Sequence, residues 1–151
     1  MGARLCLPLV LALALVGCGV EKGPLAAGCT DEPATLVRAL ESAPAEVVLS
    51  DGSRLSDCVR NARTDGELQN VGIAMSRAAD RLLEGAQGGD EQAAVALGYL
   101  TGAARRGGDR TNGVGIELVR RIELRAGSLA TQDATVASAL KRGLRAGRER
   151  G

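Results

Sequence analysis

The chain has no histidine, no tryptophan and no phenylalanine, and a single tyrosine, Tyr99. Without an imidazole there is no histidine base, no nucleophile–His relay and no histidine metal ligand. With one aromatic ring there is no stacking platform, and the core has to come mainly from Leu, Val, Ile and Ala. A strong charge of one sign is missing too, because 19 basic residues face 18 acidic ones. What is present is 45% hydrophobic and 25% charged over 151 residues. That length and composition suit one globular domain, not two cores or a disordered chain.

Long apolar runs are also lacking. Leu5 to Val16 is twelve residues, whereas a helix needs about twenty to cross a bilayer. The run follows Arg4 and contains Pro8, and a short apolar core behind a positive end is the pattern of a secretory signal. It ends in Leu15-Val16-Gly17-Cys18. This tetrapeptide, at this distance, closely resembles the lipobox of bacterial lipoproteins. The resemblance implies that the Cys18 thiol receives a diacylglyceryl group and that residues 1–17 are removed. The mature chain would then be held in the cell envelope, lipid-anchored on the extracytoplasmic side of a membrane, inner or outer left open. Two acyl chains anchor stably where one holds weakly. The competing reading is ordinary secretion with cleavage after Ala14. The resemblance covers the export segment and does not extend to the mature domain.

Four cysteines are present. Cys6 leaves with the signal and Cys18 takes the lipid, so Cys29 and Cys58 remain. Two leftover thiols in an exported protein read as one disulfide. The alternative is a pair of free buried thiols, and a metal site lacks a His partner.

The mature chain divides into a tether, residues 18–28, without hydrophobic periodicity, and one domain, residues 29–151. Thr30 or Asp31 is positioned to cap a first helix with Pro33 in its first turn, bearing Leu36, Val37 and Leu40 and stopping near Ala43 before Pro44. Val47, Val48 and Leu49 before Asp51-Gly52 leave open a short β-hairpin returning through Ser53-Arg54-Leu55. Ser56 reads as the cap of a short helix through Cys58 and Val59. Thr64-Asp65-Gly66-Glu67 is a capping box, followed by an apolar stripe at Leu68, Val71, Met75, Ala78 and Leu82. Gly88-Gly89 ends that helix and Asp90 caps the next, with Ala93, Leu97, Leu100 and Ala104 on one face. A further helix from about Gly113 to Ala126 carries Ile116, Val119 and Ile122, with Leu118 beside them. The last, from about Thr131, carries Val136, Ala139, Leu140 and Leu144, and its basic tail after Gly147 is expected to fray. Short links favour antiparallel neighbours. The expectation is an all-α protein: a small antiparallel helical bundle with an N-terminal helix joined to it by the disulfide. Gly98 and Gly102, four apart, permit a close helix contact or mark a weak helix interior.

Charge is uneven along the sequence. Glu21 to Glu91 holds 13 acidic and 7 basic residues, and Gln92 to Gly151 holds 5 acidic and 11 basic. Such asymmetry marks either an interaction surface or basic helices packing on acidic ones, the latter being the expectation. Arg105-Arg106, Arg120-Arg121 and the tail Lys141, Arg142, Arg145, Arg148 and Arg150 form the basic cluster. It reads as a surface for anionic lipid or as a solvated face with pairs such as Glu117–Arg121.

No catalytic motif is present. A phosphate loop is missing, and Gly113-Val114-Gly115 lacks the third glycine and the strand of a nucleotide site. The carboxylate pairs Asp90/Glu91 and Asp65/Glu67 sit where a helix start favours negative charge. Gly89 to Gly107, with Ala93, Leu97-Gly98-Tyr99 and Gly102, resembles one repeat of the Sel1-like helical family, which implies partner binding, and no second copy follows. Tyr99 is expected at the core or rim with its hydroxyl exposed. Catalytic, cofactor and metal residues are expected to be none, and so is a nucleic-acid partner. The functional expectation is a non-enzymatic envelope lipoprotein that contacts the membrane or an envelope protein. A small-ligand binder with an interhelical pocket is second, and an enzyme using carboxylates third.

Overall fold

The computed structural model describes residues 24–109, 111, 115–129, 131 and 133–151. Cys18 and the export segment lie outside these residues, as do Gly113 and Val114. A 3-10 turn at Ala27–Thr30 precedes α1 (Pro33–Leu40), α2 (Leu55–Asn61), α3 (Asp65–Gln87), α4 (Glu91–Gly108), α5 (Ile116–Gly127) and α6 (Ala134–Arg150). The protein is a helical bundle.

Local chemistry fixes the helix starts. In the capping box of α3, the Glu67 amide donates to Thr64 Oγ1 and the Thr64 amide donates to Glu67 Oε2, each at 3.1 Å. Asp90 Oδ1 accepts from the Gln92 and Ala93 amides at 2.8 and 3.1 Å. Asp133 Oδ1 does the same for Thr135 and Val136 at 2.7 and 3.1 Å. Side-chain oxygens thereby satisfy first-turn amides that have no partner within the helix. The first helix departs from expectation, because Glu32 precedes it without a side-chain cap. Asp31 instead accepts from the Ser50 hydroxyl across the loop.

Helix α4 is the centre of the bundle. Every residue from Ala93 to Ala104 is buried, not one stripe alone, as befits a helix apolar around its circumference. Four glycines bring α6 against it. A Cβ on Gly98 would lie 2.1 Å from the Leu140 carbonyl oxygen, and one on Gly102 would lie 2.3 Å from that of Leu144. Reciprocally, a Cβ on Gly143 would lie 1.9 Å from the Val95 carbonyl oxygen, and one on Gly147 would lie 2.1 Å from that of Tyr99. Residue numbers rise together along the contact, so α4 and α6 run parallel, with α5 between them in the chain. Of the two readings of Gly98 and Gly102 it is close contact that holds, and their partners lie at the same four-residue spacing on α6.

The disulfide joins the N-terminal segment to α2. Cys29 and Cys58 are bonded with their Cα atoms 5.3 Å apart, and both are buried. The hairpin does not form, and residues 46–54 instead make a loop with a tight turn at Asp51-Gly52. Gly52 adopts φ +82°, and the Leu49 amide donates to the Ser53 carbonyl at 2.9 Å. The side chain of Asp51 replaces a strand ladder. Its Oδ2 accepts from the Gly28 amide at 2.8 Å, while Oδ1 accepts from the Ser53 amide and hydroxyl at 3.0 and 2.6 Å. These three donors hold the Asp51 carboxyl at about 2, below its usual 3.8.

Four further expectations are corrected. Tyr99 is wholly buried, and its hydroxyl is inside as well, accepting from the Val47 amide at 3.2 Å; burial pushes the phenol's pKa above 10.0. Ser56 lies within α2 and donates to the Gly151 carbonyl. Ile116 is 61% exposed, and the core face of α5 is Leu118, Ile122 and Ala126. Nor does the segment after Gly147 fray: α6 continues to Arg150 and Gly151 is buried. Arg106 donates to the carbonyls of Arg148 and Glu149, and Arg150 donates to that of Pro44 at 2.7 Å. Those bonds anchor the last turn of α6.

Candidate functional site

The basic cluster separates into two populations. Arg105 pairs with Glu123 and Arg125 with Asp80, while Arg120 and Arg121 both pair with Glu117 at 2.9 Å. These two guanidinium groups hold the Glu117 carboxyl at about 2. On α6 the situation differs. Lys141, Arg142, Arg145 and Arg148 are all exposed, and none makes an ion pair among the described residues. Their spacing follows from the helix: the buried side takes Val136, Ala139, Leu140, Gly143, Ala146 and Gly147, so the intervening cations point outward.

The two charge halves do not neutralise one another as expected. Of the seven ion pairs among the described residues, Arg125–Asp80 alone joins the acidic first part to the basic second part. The physical reason is local geometry, since helical neighbours and short loops offer partners nearer than the opposite half does. Imbalance therefore survives folding, concentrated on α6, which has five cations and one carboxylate, Glu149. A surface groove of about 480 Å³ follows this face, bordered by Lys141, Arg142, Arg145, Arg150, Ser138, Glu149, Ala146 and Pro44. Sequence reasoning found the cations and missed Pro44 and Ser138, which fall on the groove only once α6 lies beside the loop after α1.

A second trough, about 630 Å³, runs between α3 and α5. Leu68, Ile73 and Leu118 form its apolar part and Gln69, Ser76, Arg77 and Arg121 its polar part. It is open to solvent. Its carboxylates are Asp65, in the first turn of α3, and Glu117, already held by two arginines.

Asp51, Glu67, Glu117 and Asp133 are all held below the ordinary carboxylate range by hydrogen bonds from backbone or side-chain donors, the reverse of what a proton donor at neutral pH requires. Among the described residues no group of three or more Cys, Asp or Glu could hold a metal ion, and no helix is long and apolar enough to cross a membrane. Leu97, Gly98, Tyr99 and Gly102, which carry the likeness to a Sel1-like repeat, are turned into the core. No family model, curated protein or solved structure matches the chain.

Proposed function

We propose that the protein is a lipid-anchored envelope lipoprotein whose helical domain is a non-enzymatic interaction module on the extracytoplasmic side of a membrane. The observation that carries this reading is Leu15-Val16-Gly17-Cys18 at the end of a twelve-residue apolar run, Leu5 to Val16. The Cys29–Cys58 disulfide supports it, because such bonds persist where the surroundings are oxidising. The exposed cations of α6 support the interaction role.

Intact-mass spectrometry of the protein from cells tests the anchor. A mature chain beginning at Cys18 and bearing acyl mass is expected, and Cys18→Ala should move the domain from the membrane to the soluble fraction. A native chain starting at Met1 without acyl mass, or a variant that stays on the membrane even at high salt, overturns the reading. The second reading, a small-ligand binder, has its place in the α3–α5 trough beside Ile73 and Arg77.

A further inference from the structure

We propose that the outward face of α6 is a docking surface for an anionic lipid bilayer, on which Lys141, Arg142, Arg145 and Arg148 set the domain down. The inference deepens the lipoprotein reading and rests on it for the nearness of the bilayer. Three observations carry it. The first is charge without compensation: four exposed cations lie within eight residues of one helix, with no ion-pair partner among the described residues. Elsewhere on the second half of the chain, Arg105, Arg120, Arg121 and Arg125 are engaged by carboxylates.

The second is rigidity. Gly143 and Gly147 seat α6 against the backbone of α4, and Arg106 holds its last carbonyls. The array is therefore presented as a fixed face about 10 Å long from Lys141 to Arg148, at 1.5 Å per residue. A frayed tail would have to give up conformational freedom on docking, whereas this face is already ordered.

The third observation decides the class of partner. Protein interfaces are centred on buried apolar or aromatic anchors with charge at the rim. Among the described residues the large apolar side chains that are exposed are Val48, Ile73, Ile116 and Leu124, and none lies on α6. A face with cations and no anchor suits a partner that offers a sheet of negative charge, which an anionic leaflet does. Each cation near such a surface raises occupancy about fivefold.

The leash makes this weak attraction effective. Pro24, the first described residue, is six residues beyond Cys18, so at full extension it lies within about 20 Å of the lipidated sulfur. Docking is thus an intramolecular event at high effective concentration.

Two lysines are present in the whole sequence, Lys22 and Lys141, and this permits a direct test. The full chain is reconstituted on phosphatidylcholine vesicles, with or without phosphatidylglycerol, and separated by flotation. The rate at which a water-soluble amine reagent modifies Lys141 is then read by mass spectrometry, with Lys22 as the reference within the same molecule. On phosphatidylglycerol-containing vesicles Lys141 should react about tenfold more slowly relative to Lys22, and raising the salt to about 0.5 M should remove the difference. Arg142→Glu/Arg145→Glu, both at exposed positions, should abolish the protection with helical circular dichroism unchanged.

If the chain floats with both vesicle types and Lys141 reacts equally on them, docking is overturned while anchoring stands, and the face is left to an acidic protein partner. If it floats with the anionic vesicles alone and salt releases it, docking stands and the anchor reading falls. Flotation with neither overturns both.

Discussion

The hydroxyl of Tyr99, at the centre of α4, accepts a hydrogen bond from the Val47 amide 3.2 Å away, with both residues wholly buried. The sole aromatic ring thus satisfies a backbone donor in a loop that has no strand partner. Removing the oxygen strands that amide inside the core, which costs about 1–3 kcal/mol. Tyr99→Phe is therefore expected to lower stability by about 2 kcal/mol despite the near-identical volume. Urea unfolding followed by circular dichroism measures this, and an unchanged midpoint would show that water replaces the hydroxyl.

Close approach of α4 and α6 gives a prediction whose sign depends on position. Gly143→Ala places a methyl group 1.9 Å from a backbone oxygen, and Gly98→Ala places one at 2.1 Å. Backbone cannot rotate away as a side chain can, so one helix must shift; each variant should lose about 3 kcal/mol. Gly72→Ala in mid-α3 meets nothing nearer than Leu118 Cδ1 at 3.6 Å and should gain up to about 1 kcal/mol from helix propensity. Melting temperatures of the three variants check the contrast. Similar effects at all three positions would mean that helix propensity, not packing, governs these glycines.

Much of this architecture can be read from the residues, and the failures have identifiable causes. Capping at Thr64 and Asp90 is a short-range chemistry visible within four residues, and the pairing of two leftover cysteines follows from counting. The α3 stripe at Val71, Met75, Ala78 and Leu82 follows from a period that survives folding. Ile116 misleads because one apolar residue at a helix end satisfies more than one face, and Leu118 and Ile122 take the core. The tail after Gly147 looks unsupported in sequence because the contacts that hold it, made with Ser56, Arg106 and Pro44, span 95, 42 and 106 residues. Ala139, Gly143, Gly147 and Gly151 recur every four residues, the one local sign that α6 would lie tightly against another helix. The cationic face is legible as charge, and the lack of ion-pair partners for Lys141, Arg142, Arg145 and Arg148 is not, since that depends on which partners the other arginines find.

The Cys29–Cys58 bond closes a loop of sequence separation 29, and in the chain-entropy model this limits the unfolded state by roughly 3.5 kcal/mol. A Cys29→Ala/Cys58→Ala chain should unfold at a correspondingly lower denaturant concentration while keeping the helices of α3 to α6. Because both sulfurs are buried, reductant should act on the native protein far more slowly than on the unfolded one. Thiol labelling in denaturant, with and without prior reduction, reads both statements. Free thiols in the unreduced, denatured protein would show that the bond is not formed.

Acid should loosen the loop that Asp51 organises. Its carboxyl is held at about 2 against an ordinary 3.8, so the ionised form is favoured by folding. Stability from this source is fully present above about pH 4 and is lost as the pH falls towards about 2, because the protonated group no longer serves its three donors equally. Asp51→Asn should be less stable than the parent at neutral pH and should lose less between those limits, since it has no proton to take up. Glu117, also at about 2 but held there by Arg120 and Arg121 of its own helix and not by a distant backbone donor, is the control: Glu117→Gln should shift the profile little, as exposed ion pairs are screened. Urea midpoints across the acid range decide the matter. If the Asp51→Asn profile stays parallel to the parent's, the acid sensitivity of the fold resides in another carboxylate.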